Sequence, residues 1–217
     1  SLMTPLKIDF VSDIACPWCA VGLGALEKAL ERLGGEVQAD LHFQPFELNP
    51  NMAPGGQDLG EHLTAKYGST PEQQAQIRAN IAARGEEVGF QFNPGGRGRV
   101  YNTFNSHRLL YWAANELDLE KQATLKKELL NTYFCLAVSL DDEKNVLEAV
   151  VRAGLNKARA AEILASDEFT AEVKAEEEFY KNMGIQSVPS LILNEEYLLQ
   201  GAQEPESLIS AFEQLIK

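Results

Sequence analysis

The most constraining feature of the chain is a β-α-β unit within its first 45 residues. Residues 6–12 alternate apolar and polar side chains and end at Asp13, which predicts a strand. A helical apolar spacing then continues to Leu33, and the strand-like alternation returns over residues 37–45. A crossover helix of this length joins parallel strands of one sheet. The opening of the chain therefore predicts an α/β fold.

The rest of the chain divides into a helical block and a mixed segment. Residues 58–165 contain no convincing strand pattern, only helical segments separated by Gly, Asn and Pro. A helix, a hairpin over residues 191–200 and a last helix from Pro205 follow. The order β-α-β, then helices, then α-β-β-α predicts a thioredoxin-like fold with a large all-helical insertion between its two halves. The predicted segments are 1–52 for the first half, 53–165 for the insertion and 166–217 for the second half.

Cys16, Pro17, Trp18 and Cys19 form a CPWC motif where the first strand leads into the first helix. Unpaired backbone N–H groups and the positive end of the helix dipole stabilise an anion there. Cysteines of such motifs have pKa values of about 3.5 to 7.5, so we expect Cys16 to be the nucleophilic thiolate. Pro17 suits the first helical position and Trp18 offers an aromatic contact, so both are assigned to redox tuning and substrate binding.

Cys19 lies one helical turn after Cys16, close enough for a short disulfide. We expect Cys16 to attack a partner disulfide and Cys19 to resolve the mixed disulfide by attacking Cys16. The alternative is half of a zinc site, but neither a second CxxC nor a close His pair accompanies the motif. We therefore predict no metal and no organic cofactor.

A second motif, Val188-Pro189, follows a helix stop and precedes a strand. A proline at that point removes a ladder hydrogen bond, so its presence needs a reason. A cis bond in a tight turn would bring the backbone of Val188 beside the start of the first helix, where an extended substrate can pair with it. A trans proline that ends a loop is the simpler alternative, because only about 5 to 6% of X-Pro bonds are cis.

The net charge and the cysteine content limit which partners and which cellular compartment are expected. The chain has 32 acidic and 19 basic side chains, a net charge of -13, which argues against nucleic acid or a membrane surface as a partner. The first residues lack a basic patch followed by an apolar run, and the three cysteines are an odd number, so we expect a reducing, cytoplasmic location. In that compartment a close cysteine pair favours redox chemistry over a structural disulfide.

Five motifs together resemble the FrnE-like branch of the DsbA family. They are CPWC, FQPFELNP (43–50), NTFNSHR (102–108), GIQSVPSLILN (184–194) and QGAQEPE (200–206). The resemblance spans nearly the whole chain and implies a thioredoxin fold with a helical insertion and thiol:disulfide oxidoreductase activity. In that family the first cysteine is the nucleophile, the second resolves, and the proline is cis and faces the pair. These roles carry over to Cys16, Cys19 and Pro189.

The resemblance also raises two points of difference. Some thioredoxin-fold oxidoreductases have a buried carboxylate six residues before the nucleophilic cysteine, where this chain has Phe10. Asp13 is the nearest group that could handle the proton of Cys19, although capping of the turn explains it more simply. Relatives similar to 2-hydroxychromene-2-carboxylate isomerase and kappa-class glutathione transferases have Ser at the position of Cys16, so two cysteines favour disulfide exchange.

Within the NTFNSHR motif, Asn102 and His107 are candidate substrate-binding residues. They accompany Arg97, Arg99 and Arg108, a local basic cluster in an acidic protein that suits an anionic substrate. A helix cap at Asn102 and ordinary surface arginines explain the same residues without a binding role. Both interpretations stay open in the sequence.

Two further features favour structural interpretations. Cys135 has apolar neighbours at helical spacing and is predicted to be a small buried side chain, with a resolving or regulatory role as the alternative. The three glutamates at 176–178 are interpreted as a solvated helix face.

The combined pattern predicts a thiol:disulfide oxidoreductase acting on protein or small-molecule thiols and disulfides, glutathione among them. One alternative is a glutathione-linked isomerase or transferase acting on a small aromatic compound, and another is a redox-inactive binding module. The potentials of CxxC pairs span about -270 to -120 mV, so the motif leaves the direction of exchange open. The oligomeric state is open as well.

Overall fold

The computed structural model of the protein describes residues 3–217, so the first two residues of the predicted segment 1–52 lie outside the described part. The elements in chain order are β1 (Thr4–Ser12), α1 (Pro17–Leu33), β2 (Val37–Pro45), β3 (Gln57–Asp58), α2 (Leu59–Tyr67), α3 (Pro71–Glu87), β4 (Arg99–Val100), α4 (Phe104–Trp112), α5 (Leu119–Leu130), α6 (Glu143–Arg152), α7 (Lys157–Leu164), α8 (Thr170–Asn182), β5 (Ser190–Leu193), β6 (Tyr197–Gln200) and α9 (Pro205–Leu215). A π-helical turn extends α4 over Ala113–Leu117, and another extends α5 over Asn131–Cys135.

The main sheet has the strand order β2-β1-β5-β6. β1 runs parallel to β2, as the crossover through α1 predicts, and antiparallel to β5. β5 and β6 form the antiparallel hairpin predicted for the second half. The sheet therefore joins the two halves of the sequence through β1 and β5 and confirms the thioredoxin-like fold.

Strand β1 lies at the centre of the sheet and is buried on both faces. Leu6, Ile8 and Phe10 are fully buried in the main core, together with apolar residues of α1, α9 and the helical segment. Val11 belongs to a smaller cluster with Tyr180 of α8. Burial on both faces explains why this strand contains few solvent-facing polar positions.

The helical insertion packs on the same core as the thioredoxin-like half. Leu109 of α4 and Leu125 and Leu129 of α5 are fully buried and belong to the main core cluster. Helix α5 lies against β2, and α8 also contacts β2. The insertion is thus fixed against the sheet edge, which gives it a defined position relative to α1.

One part of the predicted insertion differs from the sequence-based expectation. β3 and β4 form a two-residue antiparallel ladder, so the segment is not entirely helical. The side chain of Arg99 reinforces this ladder by donating hydrogen bonds to the carbonyls of Gly55 and Gly56, at 2.9 and 3.1 Å. A ladder of two residues is too short to produce an alternating pattern, which is why the sequence did not reveal it.

Candidate active site

Cys16 is the N-cap of helix α1, and Pro17 occupies the first helical position. The backbone N–H of Cys19 lies 3.1 Å from the carbonyl of Cys16, which closes the first turn. All three cysteines are free thiols, and the side chains of Cys16 and Cys19 are buried, with 5% and 0% exposure. The pair therefore lies at the positive end of the helix dipole with little access for water.

The pKa values of the two thiols are shifted in opposite directions. A hydrogen bond from the Cys19 thiol lowers the pKa of Cys16; burial opposes that effect, and the backbone N–H groups of Cys19 and Trp18 support it. Burial raises the pKa of Cys19 well above its ordinary value, and its interaction with Cys16 raises it further. Cys16 is consequently the more acidic thiol of the pair, and Cys19 the less acidic one.

Val188 and Pro189 lie directly beside Cys16. Their peptide bond is cis, and the Cys16 thiol donates to the carbonyl of Val188 at 3.7 Å. A Cβ atom placed on Gly22 of α1 would lie 3.0 Å from Cγ of Pro189, so glycine allows the close approach of this proline to the helix. The sequence motifs at 16–19 and 188–189 are therefore brought together in space.

A groove of about 580 Å³ opens in front of Cys16. Its walls come from the loop after β2, from the Val188 loop and from helices α2 and α3, including Leu63 and Ile77. Lys66, Arg97 and His62 provide a basic side to this groove, and the charges of Lys66 and Arg97, after burial, lower the pKa of His62. The groove thus combines an apolar wall with positive charge in an acidic protein.

Arg97 has an unusual environment within that groove. Its guanidinium lies 5.3 Å from the ring centre of Tyr133 and 5.0 Å from that of Phe134. Its buried Nε has no hydrogen-bond partner within the described part of the chain. The guanidinium is held by the two aromatic faces and keeps donor capacity for a ligand.

Behind the cysteine pair, Asp13 is buried and accepts three hydrogen bonds. Thr103 donates to its Oδ1 at 2.6 Å, and the backbone N–H of Leu48 donates to its Oδ2 at 2.9 Å. Nε2 of His107 lies 3.1 Å from the same Oδ1. Burial raises the pKa of this carboxyl, but the hydrogen bonds and the charge of His107 outweigh burial and lower it. Asp13 is therefore a buried carboxylate.

Lys126 of α5 is a second buried charged group in this region, and the charges of Cys19, Asp13 and Cys16 act on it. It is 1% exposed, and its Nζ makes no hydrogen bond to any described residue. A cavity of about 180 Å³ is lined by Lys126 and His107, among others. Lys126 was not a sequence-based candidate, since its position in α5 has no motif around it; only its packing identifies it.

Neither Asn102 nor His107 lines the groove in front of Cys16. His107 is 2% exposed and faces Asp13, because its backbone is held at the start of α4. Asn102 holds the loop after β2, donating to Oε1 of Glu47 at 3.2 Å and to the carbonyl of Pro50 at 3.3 Å. Both candidates make contacts within the protein, and their role in substrate binding stays a prediction.

The three arginines of the predicted basic cluster do not lie together in the structure. Arg108 is buried and donates to the carbonyls of Ile163, Ser166 and Glu168 at 2.7 to 2.9 Å. It caps the carboxyl end of α7 and is not available to a ligand. Arg99 supports the β3–β4 ladder, so only Arg97 of the cluster reaches the groove.

The interpretation of residues 176–178 as a solvated face is wrong for two of them, because Glu176 is partly buried and lines the cavity of about 180 Å³ and Glu177 is buried. Glu177 is 6% exposed and lies beside Glu47, which is 9% exposed. Burial first and then the hydrogen bond with Glu47 raise the pKa of Glu177 to about 8. Cys135 is only partly buried, which confirms the prediction of a buried side chain in part, and burial raises the pKa of its thiol.

This fold and this cysteine geometry define a thioredoxin-fold protein with a helical insertion. A family model described as a DSBA-like thioredoxin domain matches residues 7–213. The chain therefore belongs to the DsbA-like thioredoxin family, in agreement with the FrnE-like resemblance. No helix among residues 3–217 is both long and apolar enough to cross a membrane.

Comparison with solved structures gives the same result. A probable DsbA oxidoreductase from Streptomyces coelicolor is 31% identical, with a TM-score of 0.88 over 96% of this chain and 89% of that one. A 2-hydroxychromene-2-carboxylate isomerase is 14% identical (TM-score 0.72, 96% and 95% covered). The cytosolic disulfide reductase DsbM from Pseudomonas aeruginosa, also solved with GSH, is 15% identical (TM-score 0.68, 97% and 98% covered). The latter two similarities concern the fold alone.

A curated relative matches only in part. The uncharacterized protein YwbO from Bacillus subtilis is 28% identical over 88 residues, which are 41% of this chain and 38% of that protein. The alignment thus spans well under half of the length of this relative.

Proposed function

We propose that the protein is a thiol:disulfide oxidoreductase in which Cys16 and Cys19 cycle between dithiol and disulfide. The observation that carries this proposal is the unequal acidity of two adjacent thiols at a helix start, with the pKa of Cys16 lowered and that of Cys19 raised. A thiolate is the attacking species in exchange, and a protonated second thiol waits until the mixed disulfide has formed.

In the proposed reaction the Cys16 thiolate attacks one sulfur of a substrate disulfide. A bond forms between Cys16 and that sulfur, and the other substrate sulfur leaves as a thiolate. Cys19 then loses its proton and attacks Cys16, which forms the Cys16–Cys19 disulfide and releases the second substrate thiolate. The substrate gains two electrons and the protein loses them; the reverse sequence oxidises a dithiol substrate.

The groove supports a proposal about the substrate. An extended segment beside Cys16 can pair with the backbone at Val188, whose carbonyl already faces this cysteine. Lys66 and Arg97 favour an anionic substrate, so peptides with acidic residues and glutathione both suit the groove. We propose no metal or organic cofactor, and a reducing, cytoplasmic location that keeps Cys135 unlinked.

The three-part division of the chain also has a functional interpretation. We propose that segments 1–52 and 166–217 supply the cysteine pair, the loop after β2 and the Val188 loop, while segment 53–165 supplies the α2–α3 wall of the groove. Leu63 and Ile77 of α2 and α3 line the groove together with Pro17 and Val188 of the thioredoxin-like halves. Substrate selection would then reside mainly in the insertion and electron transfer in the thioredoxin-like part.

The test is a titration of the cysteine pair in thiol redox buffers, in a Cys135→Ser background so that only two thiols are counted. Unreacted thiols are alkylated at each potential and counted by mass spectrometry. We expect both thiols to disappear together in one two-electron transition. A midpoint within or below the cytosolic range of roughly -220 to -320 mV indicates a reductase, and a midpoint well above it an oxidant or isomerase.

Failure to form the Cys16–Cys19 disulfide at any potential would overturn the proposal. The glutathione-linked isomerase would then be tested by saturation with glutathione and by activity that survives Cys19→Ser. A redox-inactive binding module would instead retain partner binding after Cys16→Ser.

A further inference from the structure

Two arginines without an acidic partner lie close together beside the groove. The chain contains eight arginines. Four of them form ion pairs with glutamates, and these are Arg32, Arg84, Arg152 and Arg159. Arg99 and Arg108 donate to backbone carbonyls. Arg78 and Arg97 form neither an ion pair nor a side-chain hydrogen bond within residues 3–217, so their charges stay available.

Both free arginines line a space that we call the arginine recess. It has a volume of about 350 Å³ and lies between α2, α3 and the loop before β4. Its large apolar side chains are Leu59, Leu63, Ile77, Ile81, Phe92 and Phe134. Pro17 and Arg97 line the recess and the groove alike, so the two spaces are continuous. Within the described part of the chain no Asp or Glu lines the recess, so its walls do not neutralise the two positive charges.

The loop that carries Arg97 is held at both ends by the π-helical turn Asn131–Cys135. The last two carbonyls of this turn accept from Asn93, one from its backbone N–H at 2.8 Å and one from its side chain at 3.1 Å. Tyr133 of the turn donates to the carbonyl of Arg99. Single π-helical turns occur frequently at functional sites, and this one fixes the position of Arg97.

The same turn orients the guanidinium of Arg97. The rings of Tyr133 and Phe134 lie 5.3 and 5.0 Å from it, and the side chain is partly exposed. A planar guanidinium held in this way can bind a carboxylate with two parallel hydrogen bonds. Arg78 lies against the same loop, because a Cβ atom on Gly96 would be 3.4 Å from its Cδ. Two positive side chains therefore converge on one apolar recess.

We propose that the arginine recess binds an acidic residue and an adjacent apolar residue of a peptide substrate while the substrate disulfide faces Cys16. This inference rests on the function proposed above. The acidic side chain pairs with Arg97, Arg78 adds positive charge, and the apolar side chain packs on the apolar walls. An extended backbone that pairs with Val188 can continue past Pro17 into the recess. Glutathione has no apolar side chain, so it would leave these walls uncovered.

The experiment uses pairs of peptide disulfides that differ by one charge. Each short peptide contains one cysteine, linked to methanethiol by a disulfide, and a Leu-Glu pair at successive distances on either side of that cysteine. Its matched peptide has Leu-Gln instead. Reduced protein in a Cys135→Ser background is mixed with each peptide, and the released peptide thiol is alkylated and counted by mass spectrometry. The second-order rate constant is compared within each pair.

We expect the Glu peptide to react about tenfold faster than the Gln peptide at one placement, because only the carboxylate forms a charge-assisted pair with Arg97. Long-range repulsion by the net charge of -13 acts in the opposite direction, so this preference identifies a local site. Replacement of the peptide leucine by serine should slow the reaction, because the apolar walls then lose their contact.

Variants assign the preference to the recess. Arg97→Met should react with the Glu and Gln peptides at similar rates. Arg78→Met should reduce the preference by about two- to threefold, because an exposed charge acts through solvent. Arg84→Met is the matched control. Arg84 belongs to the same helix as Arg78 but is paired with Glu204 and lines neither space, so this variant should retain the preference.

Several outcomes would overturn the inference. Equal rates for the Glu and Gln peptides at every placement, with glutathione disulfide still reduced, would leave glutathione as the anionic substrate. This comparison requires no variant and holds even if Arg97→Met fails to fold. A preference that survives in Arg97→Met, or equal rates for the leucine and serine peptides, would also contradict it. Absence of thiol release from every peptide and from glutathione disulfide would instead refute the proposed oxidoreductase function itself.

Discussion

The cysteine pair separates two regions of different character, which we call the groove side and the cavity side. The groove side contains Cys16 and the Val188 carbonyl, next to an apolar wall, the exposed Lys66 and the partly buried Arg97. The cavity side contains Cys19, Asp13 and Lys126, all almost completely buried. The groove side can meet a substrate, whereas the cavity side can only adjust charge and protons. The residues that can contact a substrate and the buried charges near Cys19 therefore lie in separate parts of the structure.

The largest expected effect is the loss of Cys16, which tests whether exchange begins on the groove side. We expect Cys16→Ser to reduce the rate of glutathione disulfide reduction by more than about a thousandfold, because a hydroxyl is not ionised at neutral pH. Cys19→Ser should still attack, but it should accumulate the mixed disulfide, which mass spectrometry detects. Cys135→Ser is the control and should retain the rate. Equal rates for Cys16→Ser and the control would refute this order of events.

The next effect concerns Lys126 and the stability of the cavity side. Its pKa is lowered from 10.5 in the unfolded chain to about 8 in the folded protein. Between these values the unfolded state binds more protons, so this group makes the unfolding free energy rise with pH. The rise amounts to at most about 3 kcal/mol. Denaturant unfolding at pH 7.5 and pH 10 measures it.

Lys126→Met removes this contribution and also the cost of burying the cation. We therefore expect the variant to be more stable than the unsubstituted protein at pH 7.5, with the difference shrinking toward pH 10. Other titrating groups, Tyr133 among them, are present in both proteins and largely cancel in the difference. A constant difference across this pH range would show that Lys126 is not a desolvated cation.

The two sides also differ in how far the sequence predicts them. Cys16, Pro17 and Cys19 are consecutive or nearly so, and the strand and helix that position them have strong periodicity. Their helix-start geometry could therefore be predicted from local pattern alone. The groove side needed one distant motif, Val188-Pro189, whose cis bond the local pattern left open and the family resemblance implied.

The cavity side could not be predicted in the same way. Asp13, Thr103, His107 and Lys126 belong to three separate stretches of chain, and only the packing of α5 on β2 and of α4 on α5 brings them together. A lysine within an amphipathic helix is ordinarily solvent-facing, so its pattern gives no sign of burial. The same reason explains Glu177, whose neighbours 176 and 178 are also glutamates. Burial of a charge depends on tertiary contacts that no local pattern records.

Asp13 contacts both sides, because its carboxylate is hydrogen-bonded to Leu48 of the groove loop and to His107, which lines the cavity. Its substitution is expected to have a smaller effect on stability. We expect Asp13→Asn to lower the unfolding free energy by about 1 to 3 kcal/mol at pH 7, because buried donors lose a charged acceptor. The pKa of Asp13 is lowered from 3.8, so its stabilisation is complete above about pH 4 and is lost as the pH falls through the folded value. The gap between the two proteins should accordingly narrow below pH 4. Thr103→Ser, which keeps the hydroxyl donor, is the control, and a gap independent of pH would contradict the assignment of a buried carboxylate.

The smallest effect sharpens the description of the groove side. Lys66 is exposed and lines the groove, so its charge acts on substrate through solvent. We expect Lys66→Met to raise KM for glutathione disulfide by about two- to fivefold at low salt, with little change in kcat, because a surface charge pair contributes up to about 1 kcal/mol. The difference should decrease as salt screens the charge. Lys144→Met, far from the groove in α6, is the matched control. An equal KM for both variants would mean that the apolar wall and the Val188 backbone, rather than positive charge, select the substrate.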